Sequence, residues 1–146
     1  MNKNYRIEKI TKKDLKKIFT LLQSLKLPVE GIDDHLSNFF VIKDENEIIG
    51  SGGIEIYQEA GLIRSIAVDP KYQKKGLGRK IIEYLLNYAN EKGVKELFLL
   101  TDTVPKLYEK FGFNYIKREN ANSKIEQSEE FKGSCPNTAH LMVKAF

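Results

Sequence analysis

A chain of 146 residues, 41% apolar and 30% charged, suits a single domain over 1–146 and carries enough apolar area to offset chain entropy. Its apolar runs fall far short of the roughly 20 residues that span a bilayer, the first residues (MNKNYRIEKITKKD) lack a signal-peptide core, and one cysteine excludes an internal disulfide and a Cys-rich zinc site, while two histidines argue against a metal centre. The expected setting is cytoplasmic, and the net charge of +4 is concentrated: Lys71, Lys74, Lys75, Arg79 and Lys80 lie in KYQKKGLGRK (71–80), and without them 19 cations face 20 anions. That distribution excludes a general nucleic-acid face and suits a small phosphate-bearing molecule.

In chain order, residues 4–10 read as a strand. Thr11, with Asp14 three residues on, caps a helix whose apolar positions are Leu15, Ile18, Phe19, Leu22 and Leu25. Pro28 and Gly31 break it, and a short helix is placed over 32–39. FFVIK (39–43) and IIGSGGIEIY (48–57) form a hairpin, and a turn at Glu59-Ala60-Gly61 leads into the strand LIRSIAVD (62–69), which Pro70 ends. Ile81, Ile82, Leu85, Leu86 and Ala89 mark an amphipathic helix from about Gly78 to Lys92, with Gly93 as its C′ residue. VKELFLL (94–100) has the nearly continuous apolar character of a doubly buried strand. Pro105 opens a helix that Gly112 closes, strands follow at 113–117 and 140–146, and a short helix is placed near 125–131. The expected class is α/β (α+β): a mixed, mostly antiparallel sheet with helices on both faces.

The segment that bears on chemistry is strand, loop and helix: LIRSIAVDP, KYQKKGLGRK, IIEYLL. Gln73-Lys74-Lys75-Gly76-Leu77-Gly78 fits the pattern Q/R-x-x-G-x-G/A. Glycines at 76 and 78 let the backbone approach a ligand, and the loop opens on a helix N-terminus whose unpaired N–H groups attract an anion. The hexapeptide alone equally describes a glycine turn with solvated lysines. It is neither a Walker loop, since GK[ST] is missing, nor a dinucleotide fingerprint.

DP-KYQKKGLGRKIIEYLLNYANEKG, then LFLL, then LYEKFGF (107–113) together resemble the GCN5-related N-acetyltransferase (GNAT) family from about residue 39 to 117, and the element order extends the likeness to nearly the whole chain. The resemblance implies the acyl-CoA N-acyltransferase fold, splayed at two parallel strands (62–68 and 94–100), with acetyl-CoA as cosubstrate and no metal. It implies a pyrophosphate on the amides of Gln73, Lys74, Lys75, Gly76, Leu77, Gly78 and Arg79. A pantetheine arm would pair with Ile66, Ala67 and Val68, and one N–H near Ile66 or Ala67 would polarise the thioester carbonyl. Tyr108 falls on the family's tyrosine position. A thiol ionises near about 8.5 and a phenol near about 10, so Tyr108 suits protonation of the departing thiolate, as general acid. A packed tyrosine is the other reading. Glu55, on the strand expected to pair with 62–68, is the candidate general base, with Glu59 at the turn as a second; each is equally well a surface carboxylate.

Arg64 interrupts an apolar strand and needs a partner, either a cross-strand carboxylate such as Glu55 or an anion of the substrate. An even-numbered hairpin loop puts Arg64 and Glu55 on one face. Arg64 and its neighbour Ser65 are thus the candidate acceptor contacts. LPVEGIDDHL (27–36), LIRSIAV and EEFKGSCPNTAHLMV (129–143) more narrowly resemble the N-acetyltransferases associated with arsenic-resistance operons, which are similar in turn to the acetyltransferase domains of amino-acid N-acetyltransferases. That resemblance implies a small amino-acid-like, amino-phosphinate-like or arsinate-like amine, with Leu27 to Gly31 as a pocket lid. Cys135, His35 and His140 read as packing or pocket-lining residues. Other acceptors (an aminoglycoside, polyamine or peptide N-terminus), a CoA-binding module without turnover and a nucleic-acid binder are the alternatives; no membrane partner is expected, and a homodimer is common in the family.

Overall fold

The computed structural model describes residues 5–101, 105–129, 131–132 and 140–146. Among them seven strands form one sheet: β1 (Arg6–Lys9), β2 (Phe39–Asp44), β3 (Glu47–Tyr57), β4 (Ala60–Val68), β5 (Glu96–Thr101), β6 (Asn114–Tyr115) and β7 (His140–Ala145), in the order β1-β2-β3-β4-β5-β7-β6. The helices are α1 (Leu15–Ser24), α2 (Leu77–Glu91) and α3 (Pro105–Glu109). None is long and apolar enough to cross a membrane among the described residues.

Most boundaries follow local chemistry. Asp14 accepts from the Thr11 N–H at 3.0 Å, and a 3-10 turn over Lys12–Asp14 runs into α1. The helix ends before Pro28: Lys26 takes a left-handed φ of 59°, and Leu27 N–H donates to Leu22 O at 2.9 Å, the six-to-one bond of a Schellman ending with lysine where glycine is usual. Gly93 ends α2 in the expected way, with φ 81° and the Val94 N–H on Ala89 O at 3.0 Å. The segment Ile32–Asn38 is 3-10 and kinked at His35. Where a short helix is expected near 125–131, a 3-10 turn, Ser123–Gln127, precedes helical residues at 129 and 131–132, and the strand expected over 113–117 shrinks to Asn114–Tyr115.

Alternation along the strands builds two faces. Phe40, Ile42, Ile54, Ile63, Leu97, Leu99 and Met142 meet Ile81, Ile82, Leu85 and Ala89 of α2, with Tyr108 and Phe113 beside them. On the opposite face Phe39, Val41 and Ala67 meet Ile18, Leu21 and Leu22 of α1. Ala60, Leu62, Phe98 and Leu141 form a separate cluster there under Ile125. That second face therefore has two apolar clusters and a gap between them.

The sheet opens at its middle. β4 and β5, the parallel pair, are in register only from Ala60↔Glu96 to Ile63↔Leu99. At the same level the β3–β4 ladder shifts: Gly53 faces Arg64, but Ser51 faces Ala67. Two steps on β3 thus match three on β4, which makes a bulge. Its extra residue is Ser65, at φ 62°.

Candidate active site

The first half of the site is made of backbone. Past β4, Asp69 Oδ1 accepts from the Lys71 N–H at 2.9 Å, and the Gln73 amide donates to Val68 O at 3.0 Å, tying the loop to the strand end. Lys74 (φ 66°) and Gly76 (φ 81°) both turn left-handed, and α2 starts at Leu77. The first N–H groups of a helix have no partner within it, and the dipole there is positive. A Cβ added at Gly76 or Gly78 would meet nothing within 4 Å, so the helix mouth is open. Gln73, Lys74, Lys75, Arg79 and Lys80 are exposed around it, and the Lys75 ammonium rests 5.5 Å from the centre of the Tyr72 ring. The loop thus presents an open helix N-terminus ringed by exposed cations.

The second half begins where β4 leaves β5. The β4–β5 ladder runs no further than Ile63↔Leu99, and from Ser65 to Val68, a stretch that includes Ile66 and Ala67, the β4 edge facing β5 has no strand partner among the described residues. The bulge is pinned from behind by Ser51 Oγ, which donates to Ser65 O at 2.8 Å. Tyr108 lies on the α2 face, 6% exposed, with its ring edge-on to Phe113 at 6.0 Å.

The gap between the two apolar clusters holds a charged network. Glu55 and Arg64 share that face, as the two-residue turn between Tyr57 and Ala60 requires. Arg64 Nη1 donates to Glu55 Oε2 at 2.8 Å, with the two side chains 0% and 1% exposed. The carboxylate partner weighed for Arg64 is thus present. Other donors of the guanidinium reach Ser65 Oγ (3.2 Å) and two carbonyls of the 28–31 segment, those of Glu30 and Pro28 (3.1 Å). This segment, the expected lid, lies directly over the guanidinium. Gly31 has φ 84°, so its conformation favours glycine, and a Cβ there would make ordinary contact with Arg64 Nη1 at 3.5 Å.

Glu55 does not face solvent. Its other oxygen accepts from Tyr57 Oη at 2.7 Å, and His35 Nε2 approaches Tyr57 Oη at 3.3 Å. Ser128, itself buried, lies close to the Tyr57 hydroxyl and opposes its upward shift. Burial, then the bond to Glu55, push the Tyr57 hydroxyl well above the usual tyrosine range.

Glu59 sits at the closed end of the splay, paired with Lys124, whose hydrogen bond chiefly holds its carboxyl below the usual range. Its backbone carbonyl accepts from the Lys95 N–H at 2.7 Å. Glu59 anchors the 118–127 segment to the hairpin turn. His140 is exposed, with its ring against Tyr115 at 5.4 Å. Cys135 and most of the tail motif lie outside the described residues. No group of three or more His, Cys, Asp or Glu among the described residues is placed to hold a metal ion.

Sequence reasoning missed Tyr57, Ser128 and the placement of His35. The one available signal was Glu55-Ile56-Tyr57, whose polar residues share a strand face with Arg64. Nothing in 32–38 announces the kink that turns His35 inward.

A family model described as an acetyltransferase (GNAT) domain matches residues 35–115. An uncharacterized N-acetyltransferase of Chlorobaculum tepidum is 34% identical over 102 residues, 69% of this chain and 65% of that protein. An amino-acid acetyltransferase of Neisseria meningitidis is 26% identical over 117 residues, 79% of this chain and 26% of its own length. The chain thus matches just under two thirds of the first relative and about a quarter of the second. Among solved structures, N-acetylglutamate synthase from Neisseria gonorrhoeae, complexed with coenzyme A and N-acetyl-glutamate, has the same fold, with a TM-score of 0.83 at 18% identity over 99% of this chain and 36% of that one.

Proposed function

The chain belongs to the GNAT acetyltransferase family, and on that premise we propose that it transfers the acetyl group of acetyl-CoA to the primary amine of a small, anionic, amino-acid-like acceptor. The observation that carries the reading is a coincidence of two openings. The helix mouth at Gly76 and Gly78 adjoins the stretch of β4, Ser65 to Val68, that lies beyond the last pair in register with β5, Ile63↔Leu99. A diphosphate seated on the helix mouth would lead its pantetheine arm along that strand edge and bring the thioester to the bulge.

The acceptor approaches from the other face. There Arg64 is held on one side by Glu55 and on the other by the carbonyls of Pro28 and Glu30. Carbonyls are neutral acceptors and a carboxylate is the stronger partner for a guanidinium. An acceptor carboxylate would displace the lid carbonyls and leave the Glu55 bond in place, with Ser65 Oγ alongside. A cationic acceptor gains nothing from this arrangement. Amine attack on the thioester carbon forms the C–N bond and releases coenzyme A as thiolate, which Tyr108 would protonate. The amine relatives named as amino-acid acetyltransferases support the acceptor class.

An acceptor screen tests this. Thiol release from acetyl-CoA, with product masses, is expected for amino acids and amino-phosphinates and not for polyamines or aminoglycosides. Arg64→Ala should raise KM for anionic acceptors by ten-fold or more and leave that for neutral amines unchanged. Turnover with polyamines alone contradicts the acceptor class; CoA binding with no transfer to any amine contradicts the enzyme reading.

A further inference from the structure

We propose that His35 takes the proton from the acceptor's ammonium, with Tyr57 and Glu55 behind it fixing the tautomer of the ring and balancing its charge. The inference rests on the acetyl-transfer reading above. The hydrogen bonds themselves determine the tautomer. Tyr57 Oη lies 2.7 Å from Glu55 Oε1 and 3.3 Å from His35 Nε2. A phenol has one proton, and the carboxylate paired with Arg64 can only accept, so the phenol proton goes to Glu55. The contact with His35 then requires Nε2–H to donate to the phenol oxygen. In the neutral ring the lone pair is therefore on Nδ1.

Nδ1 makes no hydrogen bond among the described residues. No buried side-chain nitrogen or oxygen there lacks a partner, and the His35 side chain is 17% exposed, so Nδ1 meets solvent. The ring is held in place from two directions. The backbone kink at His35 (φ −131°, ψ 25°) turns it toward β3, where it packs edge-on to Tyr57 at 5.4 Å. Protonation at Nδ1 would put a cation 4.0 Å from Glu55 Oε1, with the phenol between them as a polar bridge. The charged and titratable groups around the ring are Tyr57 and Glu55 on β3, Arg64 on β4, and Asp33 and Asp34 on its own segment. From Nε2, the other ring nitrogen, the bonded chain runs through Tyr57, Glu55 and Arg64 to Ser65, at the bulge where the thioester would lie.

The step balances in protons. The ammonium gives one proton to Nδ1, and the free amine attacks the thioester carbonyl. As the tetrahedral intermediate collapses, nitrogen sheds a second proton and the C–S bond breaks. The thiolate takes a proton from Tyr108, and the second proton replaces it. His35 later releases its proton to water, so one proton leaves per turnover.

The test uses the full chain, acetyl-CoA and an amino-acid acceptor that the wild type acetylates. His35→Gln keeps an N–H toward Tyr57 and removes the base. It should bind CoA as the wild type does and lose about 100-fold or more in kcat/KM. The acid limb of its kcat/KM profile should move up toward the ionisation of the amine itself. In His35→Ala, added imidazole should restore rate in proportion to its free base. His35→Gln with wild-type kcat/KM and an unmoved pH profile would overturn the proposal, as would a His35→Ala protein with normal CoA affinity that imidazole leaves slow. A wild type that binds CoA and acetylates nothing removes the transfer reading and this step with it.

Discussion

The two sides of the sheet solve recognition in different ways. On the α2 side the proposed anion seat is one continuous stretch of backbone, residues 73–79, whose side chains are mostly exposed. On the other side the network takes one or two side chains from each of several distant segments, His35, Glu55 with Tyr57, Arg64 and Ser128, together with the carbonyls of 28–30. The first depends on φ angles and tolerates changes of side chain. The second depends on buried charge and tolerates almost none.

The largest effect should come from the buried side. Glu55→Leu leaves the Arg64 charge buried without its carboxylate, and removal of one member of such a pair costs about 3–5 kcal/mol. Denaturant unfolding should show that loss, and Glu55→Leu with Arg64→Met should recover most of it. A single variant as stable as the wild type would mean that the guanidinium finds water. On the exposed side, Gly76→Val forces a β-branched residue into the left-handed region at a cost of about 1–2 kcal/mol. Because its Cβ meets no atom, the expected result is a folded protein with CoA affinity reduced roughly ten-fold. A variant with unchanged affinity would detach the loop conformation from ligand binding.

Smaller effects sharpen the contrast. Lys75→Ala should weaken CoA binding by less than about 1 kcal/mol, and the difference should fade at high salt, since the charge is exposed. Tyr57 has a folded-state ionisation raised above its unfolded value near about 10. Its contribution is therefore complete below about pH 10 and is lost as pH rises through the folded value. Stability measured from pH 8 to 11 should fall less steeply in Tyr57→Phe than in the wild type; parallel curves would exclude this. Glu59 is the opposite case and the smallest. Its lowered ionisation gives a contribution present above the usual carboxylate value of 4.5 and lost as pH falls through the folded one. Glu59→Gln should flatten the acid limb of stability at low salt only.

The same contrast explains what could be read from the chain. The turn into α2 was legible because Gln73 to Gly78 are neighbours in sequence, and glycine at 76 has a direct conformational meaning; its role as an anion seat is the proposal. Strand order and the helical faces were legible from periodicity, as with Ile81, Ile82 and Leu85. The Arg64–Glu55 pairing was weighed because a two-residue turn fixes which residues share a face. His35 and Ser128 could not be found in this way. Their approach to Tyr57 depends on a kink within 32–38 and on a 3-10 turn at 123–127, and neither has a repeating pattern. Ser65 was named beside Arg64, but the bulge at it was not legible, since a bulge shifts alternation without changing composition.

The most direct measurement compares coenzyme A with pantetheine, which lacks the diphosphate, by calorimetry on the folded wild-type chain. Binding of coenzyme A with no detectable heat from pantetheine at the same concentrations is the predicted result. Equal affinities for the two would contradict an anion seat at the α2 helix mouth, and with it the path of the thioester along β4.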